Sequence, residues 1–177
     1  MIIAICEPVW KAEGRGITLS DDTQLTRVVW ADNIYFFDVT AEGVQTMVKQ
    51  FTAEMNARTL AWKSKSLTYF ATDMPAGYQL MQIETDKGIE AIVSAESMEV
   101  LGTVQHCSGD NLPDVSNRLN KGTAAYWKFS HTLHNREVPL MQKVQLYSQR
   151  VLKTAIFGSA AWRWSLTTAQ RLRTWER

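Results

Sequence analysis

A chain of 177 residues can form one domain or two small ones and is long enough to bury a core. Its 45% hydrophobic content and formal charge of +1 are those of an ordinary soluble globular protein. No run approaches the roughly 20 apolar residues that span a bilayer. Cys6 and Cys107 offer neither a metal-ligand spacing nor a disulfide framework. A membrane-spanning chain and a disulfide-stapled secreted one are therefore excluded, and the expectation is a soluble intracellular protein, in cytoplasm or nucleus.

The opening Met1-Ile-Ile-Ala-Ile-Cys6 is apolar but is cut short by Glu7 and Pro8, and it lacks the basic start and length of a signal peptide. From Leu25 to Phe37, two runs rich in β-branched and aromatic residues flank Asp32 and Asn33, which predicts a hairpin with a carboxylate on its tip. An Asp-Asn pair is also favoured at turns for purely local reasons. One carboxylate alone makes a weak Mg²⁺ site. Thr40 and Glu42 supply an N-cap and a first-turn acid, and the spacing of Val44, Met47, Val48, Phe51 and Met55 predicts a helix to about Asn56. Residues 66–71, 79–83 and 89–93 read as short strands, separated by turns at 74–77 and 86–88. Residues 98–105 read as a further strand interrupted at Gly102, where a bulge or the close approach of another backbone is expected.

Composition changes at Ser108-Gly109-Asp110-Asn111-Leu112-Pro113, dividing the chain into 1–112 and 113–177. Beyond it, Val115, Leu119, Gly122, Tyr126, Phe129 and Leu133 mark one face of a helix with Asp114 ahead as a cap. A second helix is expected from about Pro139 to Gly158 and a third from about Thr167. The class is α+β.

The small net charge hides a division: 1–112 carries 8 Lys+Arg against 15 Asp+Glu, whereas 113–177 carries 11 against 3. A basic half with few acids is the electrostatic footprint of a nucleic-acid surface, or else two solvated parts that attract one another. Arg118, Lys121 and Lys128, and then Lys143, Arg150 and Lys153, fall on helical stripes at spacings of three and seven. Such rows can follow a phosphate backbone or form an ordinary charged face. Of the seven Trp residues most should lie in the core, with some free to stack on bases. His131 and His134 lack a third ligand and read as surface residues.

Val29-Trp30-Ala31-Asp32-Asn33-Ile34 resembles the aromatic-Ala-Asp-Asp motif of reverse transcriptases, especially those of non-LTR retrotransposons, with Asn33 where the second Asp is expected. Leu60-Ala-Trp-Lys63-Ser-Lys65-Ser66 is similar to the Lys-bearing segment after the catalytic hairpin. Val100-Leu101-Gly102-Thr103 resembles the primer-grip turn, and Ile156-Phe157-Gly158-Ser159-Ala160-Ala161-Trp162 a motif of the thumb. Residues 1–26, with Glu7-Pro8-Val9-Trp10, resemble the stretch just before the hairpin.

The resemblance implies a partial palm over 1–112, an antiparallel sheet with helices, that includes the catalytic-hairpin remnant and a primer-grip-like turn at Leu101 and Gly102. A helical thumb would follow over 113–177, with Arg118, Lys121, Lys128, Lys143, Arg150 and Lys153 as its nucleic-acid contacts. Asp32 would be the residual catalytic and metal-binding carboxylate, and Lys63 or Lys65 a phosphate-facing lysine. The family's activity is RNA-directed DNA synthesis with Mg²⁺. Its fingers, its other metal-binding Asp and its nucleotide-positioning segment have no match here. The expectation is thus a truncated, inactive remnant that holds no metal tightly; the alternative is a non-catalytic nucleic-acid-binding module. Expected partners are an RNA or DNA template–primer, the missing upstream segment, and further copies of the chain through an exposed strand edge.

Overall fold

A computed structural model describes residues 2–20, 23–72 and 74–177; Met1, Asp21 and Asp22, which belong to the stretch 1–26, lie outside the described residues. The chain is a mixture of helices and small antiparallel sheets, and it divides into two compact units, Met1–Ala95 and Glu96–Arg177.

In the first unit, α1 (Ile2–Ala12) runs through Pro8 instead of ending at it. Proline costs a helix one backbone hydrogen bond and a steric clash. Here the turn that follows is anchored by Trp10, fully buried, whose Nε1–H donates to Gln50 Oε1 at 2.7 Å, while Cys6 is buried one turn earlier. Burial also pushes the Cys6 thiol pKa up. Glu7 accepts from Lys11 and Arg27; first the Lys11 bond and then that of Arg27 hold its carboxyl below the usual range, against the opposing effect of burial.

Strands β1 (Ile17–Ser20) and β2 (Thr23–Leu25) pair with each other, and β3 (Arg27–Trp30) pairs with β4 (Asn33–Phe36) in the expected hairpin. Ile34 and Phe36 pack on a core of Cys6, Trp10, Met47 and Phe51. Helix α2 (Ala41–Asn56) starts at the expected cap, where Thr40 accepts the Gly43 N–H at 3.0 Å. Its other face joins a second core with Tyr69, Leu80, Met81, Ile83 and Ile92, built on the hairpin of β5 (Gln79–Thr85) and β6 (Gly88–Val93). A register shift between Gln79 and Met81 explains why Leu80 and Met81, neighbours in sequence, are both buried.

The expected strand over 66–71 does not form. A 3-10 turn (Ser64–Ser66) leads into extended chain that makes a single bridge, Tyr69 to Ser94. Leu67, Tyr69 and Ala71 alternate correctly for a strand and pack on the core, but among the described residues no neighbouring strand pairs along their length.

Asp38 closes this unit where hairpin meets helix. Its Oδ2 accepts the Gly16 N–H at 2.8 Å, and its Oδ1 accepts the Thr40 N–H and hydroxyl at 2.8 and 2.9 Å. A Cβ on Gly43 would lie 2.1 Å from that carboxylate. Gly43→Ala is therefore expected to destabilise by about 1–3 kcal/mol through overpacking, reversing the gain of roughly 1 kcal/mol that Ala normally gives in a helix. Hydrogen exchange of the α2 amides checks it: protection that is unchanged or raised would mean that Asp38 moves aside freely.

The second unit opens with a hairpin of β7 (Ser97–Val100) and β8 (Thr103–His106), followed by α3 (Leu112–His134). Next comes α4 (Leu140–Leu146), which passes through a π-helical turn (Tyr147–Leu152) into the short α5 (Lys153–Ala155). Gly158, at φ +77°, stops that helical run as expected, and α6 (Leu166–Glu176) is capped by Ser165. Val115, Leu119, Ala155 and Trp162 form the core, with Leu172 and Trp175 packed against it.

The division thus falls at 95/96 and not at 112/113. The β7–β8 hairpin is bound to α3 by three long-range contacts: Val104 N–H to Asp114, Arg118 to the Gly102 carbonyl, and Lys121 to Glu99. The loop at 108–113, where the composition changes, only turns the chain between elements of one unit.

Candidate nucleic-acid interface

At the tip of β3–β4, Trp30 and Asn33 are cross-strand partners and Ala31 and Asp32 form the turn. Ala31 has φ +53° and Asp32 is not left-handed, the pattern of a turn that usually places glycine first. Asp32 and Asn33 are exposed, and Trp30 is 63% exposed beside them. The donors here are one carboxylate and one neutral amide. Among the described residues, no three of His, Cys, Asp and Glu gather to hold a metal ion. Two Mg²⁺ ions need more negative charge than one Asp brings, so these residues do not fit a two-metal centre.

Trp62 sets the lysine segment on the first unit, its Nε1–H donating to Thr52 Oγ1 at 2.9 Å. Lys63 and Lys65 are exposed just beyond. Between them, Ser64 donates its N–H to Asp86 Oδ1 at 2.9 Å and its hydroxyl to Glu90 Oε1 at 2.6 Å. Two carboxylates at the same turn weaken its attraction for a phosphate.

Leu101 and Gly102 form the β7–β8 turn, both at positive φ, +49° and +85°. Gly102 is therefore a hairpin turn residue and not a break in one strand. What approaches it closely is the Arg118 side chain, 3.0 Å from where a Cβ would stand, in place of a backbone.

Arg118 departs most from the sequence reading. It is 6% exposed, donates to the Gly102 carbonyl, lies 4.3 Å from the centre of the Phe157 ring and has its Nε 4.0 Å from Asp114 Oδ1. That guanidinium is committed inside the unit and presents no charge to a phosphate. Asp114 is likewise no cap for its own helix: Oδ1 accepts the Val104 N–H at 2.8 Å, and Oδ2 accepts Trp162 Nε1–H at 2.7 Å. The two motif segments around Gly102 and around Phe157 and Trp162 meet through this Asp114–Arg118 pair.

The other cations differ among themselves. Lys121 is exposed and pairs with Glu99 at 3.1 Å, and Lys128 is exposed with Nζ 5.8 Å from the Phe129 ring centre. Arg150 and Lys153 are exposed, whereas Lys143 is half-buried. The wider π turn between Lys143 and Arg150 shifts the helical register, so the three do not share the stripe that a regular helix would give them.

Sequence spacing missed Arg136, Arg163, Arg171, Arg173 and Arg177. All are exposed, and among the described residues none makes an ion pair with a carboxylate. Their signal was the charge balance of 113–177, not any periodicity. Trp127 and Trp164 are exposed in the same unit, His131 and His134 are exposed as expected, and Tyr126 meets His134 Nε2 at 2.9 Å.

No protein-family model, no curated protein and no solved structure matches the chain. No helix among the described residues is long and apolar enough to cross a membrane.

Proposed function

We propose that the chain is a non-catalytic nucleic-acid-binding module whose contacts are made by the exposed, unpaired cations of residues 113–177. One observation carries this reading: apart from the committed Arg118 and the paired Lys121, the Lys and Arg side chains of this stretch have no carboxylate partner among the described residues, and all but Lys143 are exposed. A cation lacking an intramolecular partner keeps its charge free for phosphate, and such contacts give sequence-independent affinity.

A second reading adds ancestry: a catalytically silent relative of the non-LTR reverse transcriptases, its catalytic-hairpin remnant in the first unit and its primer-grip-like turn and thumb-like helices in the second. Asp32 on a hairpin tip beside an exposed Trp30 favours it, as does the meeting of the Leu101-Gly102 turn with the Phe157 segment. Inactivity follows from charge, since Asn33 is neutral where a second acid is needed.

One experiment addresses both. The full chain is mixed with a fluorescent primer–template at low salt, with Mg²⁺ or Mn²⁺ and deoxynucleotides. Anisotropy should report binding, and the primer should stay unextended, also in Asn33→Asp. Absence of binding defeats the module; extension abolished by Asp32→Ala defeats the assignment as non-catalytic. The β3–β4 hairpin also leaves Val28, Val29 and Trp30 exposed on a two-stranded sheet, which supports self-association. Sedimentation at high concentration should then show species above 20.1 kDa.

A further inference from the structure

Helices α3 and α6 leave an open groove of about 430 Å³ between them. It is of small-ligand size, and its walls mix the apolar surface of Leu119 and Trp175 with several polar side chains. Asn120 stands on the α3 side and Thr167, Gln170, Arg171 and Thr174 on the α6 side, with the Trp175 indole forming part of the wall. The groove is preformed. Arg171 donates to Ser116 across it, and Trp175 is fixed by donating Nε1–H to Thr123 Oγ1 at 2.8 Å. Gly122 sets the close approach, because a Cβ there would lie 2.7 Å from Ala155 Cβ and 2.8 Å from Trp175.

Among the described residues, no carboxylate lines the groove. Each side-chain amide, of Asn120 and of Gln170, offers a donor beside an acceptor, the pairing that matches a nucleobase edge. A guanidinium carries five N–H donors, of which Ser116 takes one, so Arg171 retains donors for a phosphate. An indole wall suits a planar base. We propose that this groove seats an unpaired nucleotide of single-stranded nucleic acid. The proposal rests on the reading of the exposed cations as nucleic-acid contacts and adds to it a preference those cations alone do not supply. A base within a duplex is stacked, with its edges reachable only by an element inserted into the duplex grooves. A recess between two helices takes a base only once it has left the stack.

The test uses the full chain with a fluorescent single strand of about 12 nucleotides, in separate DNA and RNA arms, and a duplex of the same sequence. Asn120 and Gln170 are exposed, so their replacement should leave the fold intact. Asn120→Ala with Gln170→Ala should weaken single-strand binding about tenfold and leave duplex binding unchanged. Arg171→Ala should lower the salt slope on the single strand by about 0.7. Loss confined to the single strand, in either arm, supports the groove. Undiminished single-strand binding, or equal loss on single strand and duplex, overturns it while the exposed-cation reading stands. Failure of the unaltered protein to bind any of the three defeats both.

Discussion

Asp114→Ala is expected to destabilise the 96–177 unit by about 3–5 kcal/mol, the range for breaking a buried charge pair from one side. Asp114 is 3% exposed and Arg118 6%. Removing the carboxylate strands three groups at once: the Val104 N–H, the Trp162 indole N–H and the Arg118 cation, whose Nε is already buried without a hydrogen-bond partner among the described residues. Each orphaned buried donor costs roughly 1–3 kcal/mol, and more when charged. Asp114→Asn keeps an acceptor and should cost less. Combining Asp114→Asn with Arg118→Met removes both charges and should recover part of the loss, since a buried pair replaced as a whole is often neutral. Because the chain has two units, one melting midpoint is a poor readout. Hydrogen exchange at the Val104 amide reads the site directly, and protection that survives Asp114→Ala would remove the network from any role in stability.

That network also marks the border of what is legible in the sequence. The β3–β4 hairpin, the Thr40 cap with its helix and the Gly158 stop are local chemistry, fixed by neighbouring residues, and each is readable in place. The attachment of β7–β8 to α3 depends on Asp114 and Arg118 finding Val104 and Gly102, 10 and 16 residues away, and on Trp162, 48 residues from Asp114. Nothing in a spacing rule distinguishes an arginine at the margin of an apolar stripe that turns outward from one that turns inward. The available signal was the four-residue step from Asp114 to Arg118, which allows mutual pairing on a helix. The helix through Pro8 has no local signal: the proline penalty is local, whereas the burial of Trp10 that offsets it comes from residues 26 to 41 positions later. The π turn leaves no periodic trace, and with it goes the stripe of Lys143, Arg150 and Lys153. The α3–α6 groove is assembled from Leu119, Trp175 and polar residues that look like plain surface one at a time.

Affinity of the full chain for duplex DNA is expected to fall steeply with salt. The chain's net charge is only +1, so attraction must come from the local field of 113–177 and not from the molecule as a whole. If roughly four phosphates are neutralised, log K falls with log salt at a slope near −3.6, which is about 100-fold weaker binding for a fourfold rise in salt. Lys128, Arg150 and Lys153 are exposed and form no ion pair with a carboxylate among the described residues. Lys128→Glu, Arg150→Glu and Lys153→Glu should each reduce the slope by about 0.9, with the triple variant near −0.9. Arg118→Met combined with Asp114→Asn, by contrast, should leave the slope untouched, because the Arg118 charge is buried and committed and the pair is replaced as a whole. The competing partner for these cations is the acidic stretch 1–112, with its 15 Asp+Glu. Were it to satisfy them, the full chain would show no binding even at low salt. Anisotropy across a salt series separates the cases, and a slope that survives the triple reversal would place the contact surface elsewhere on the chain.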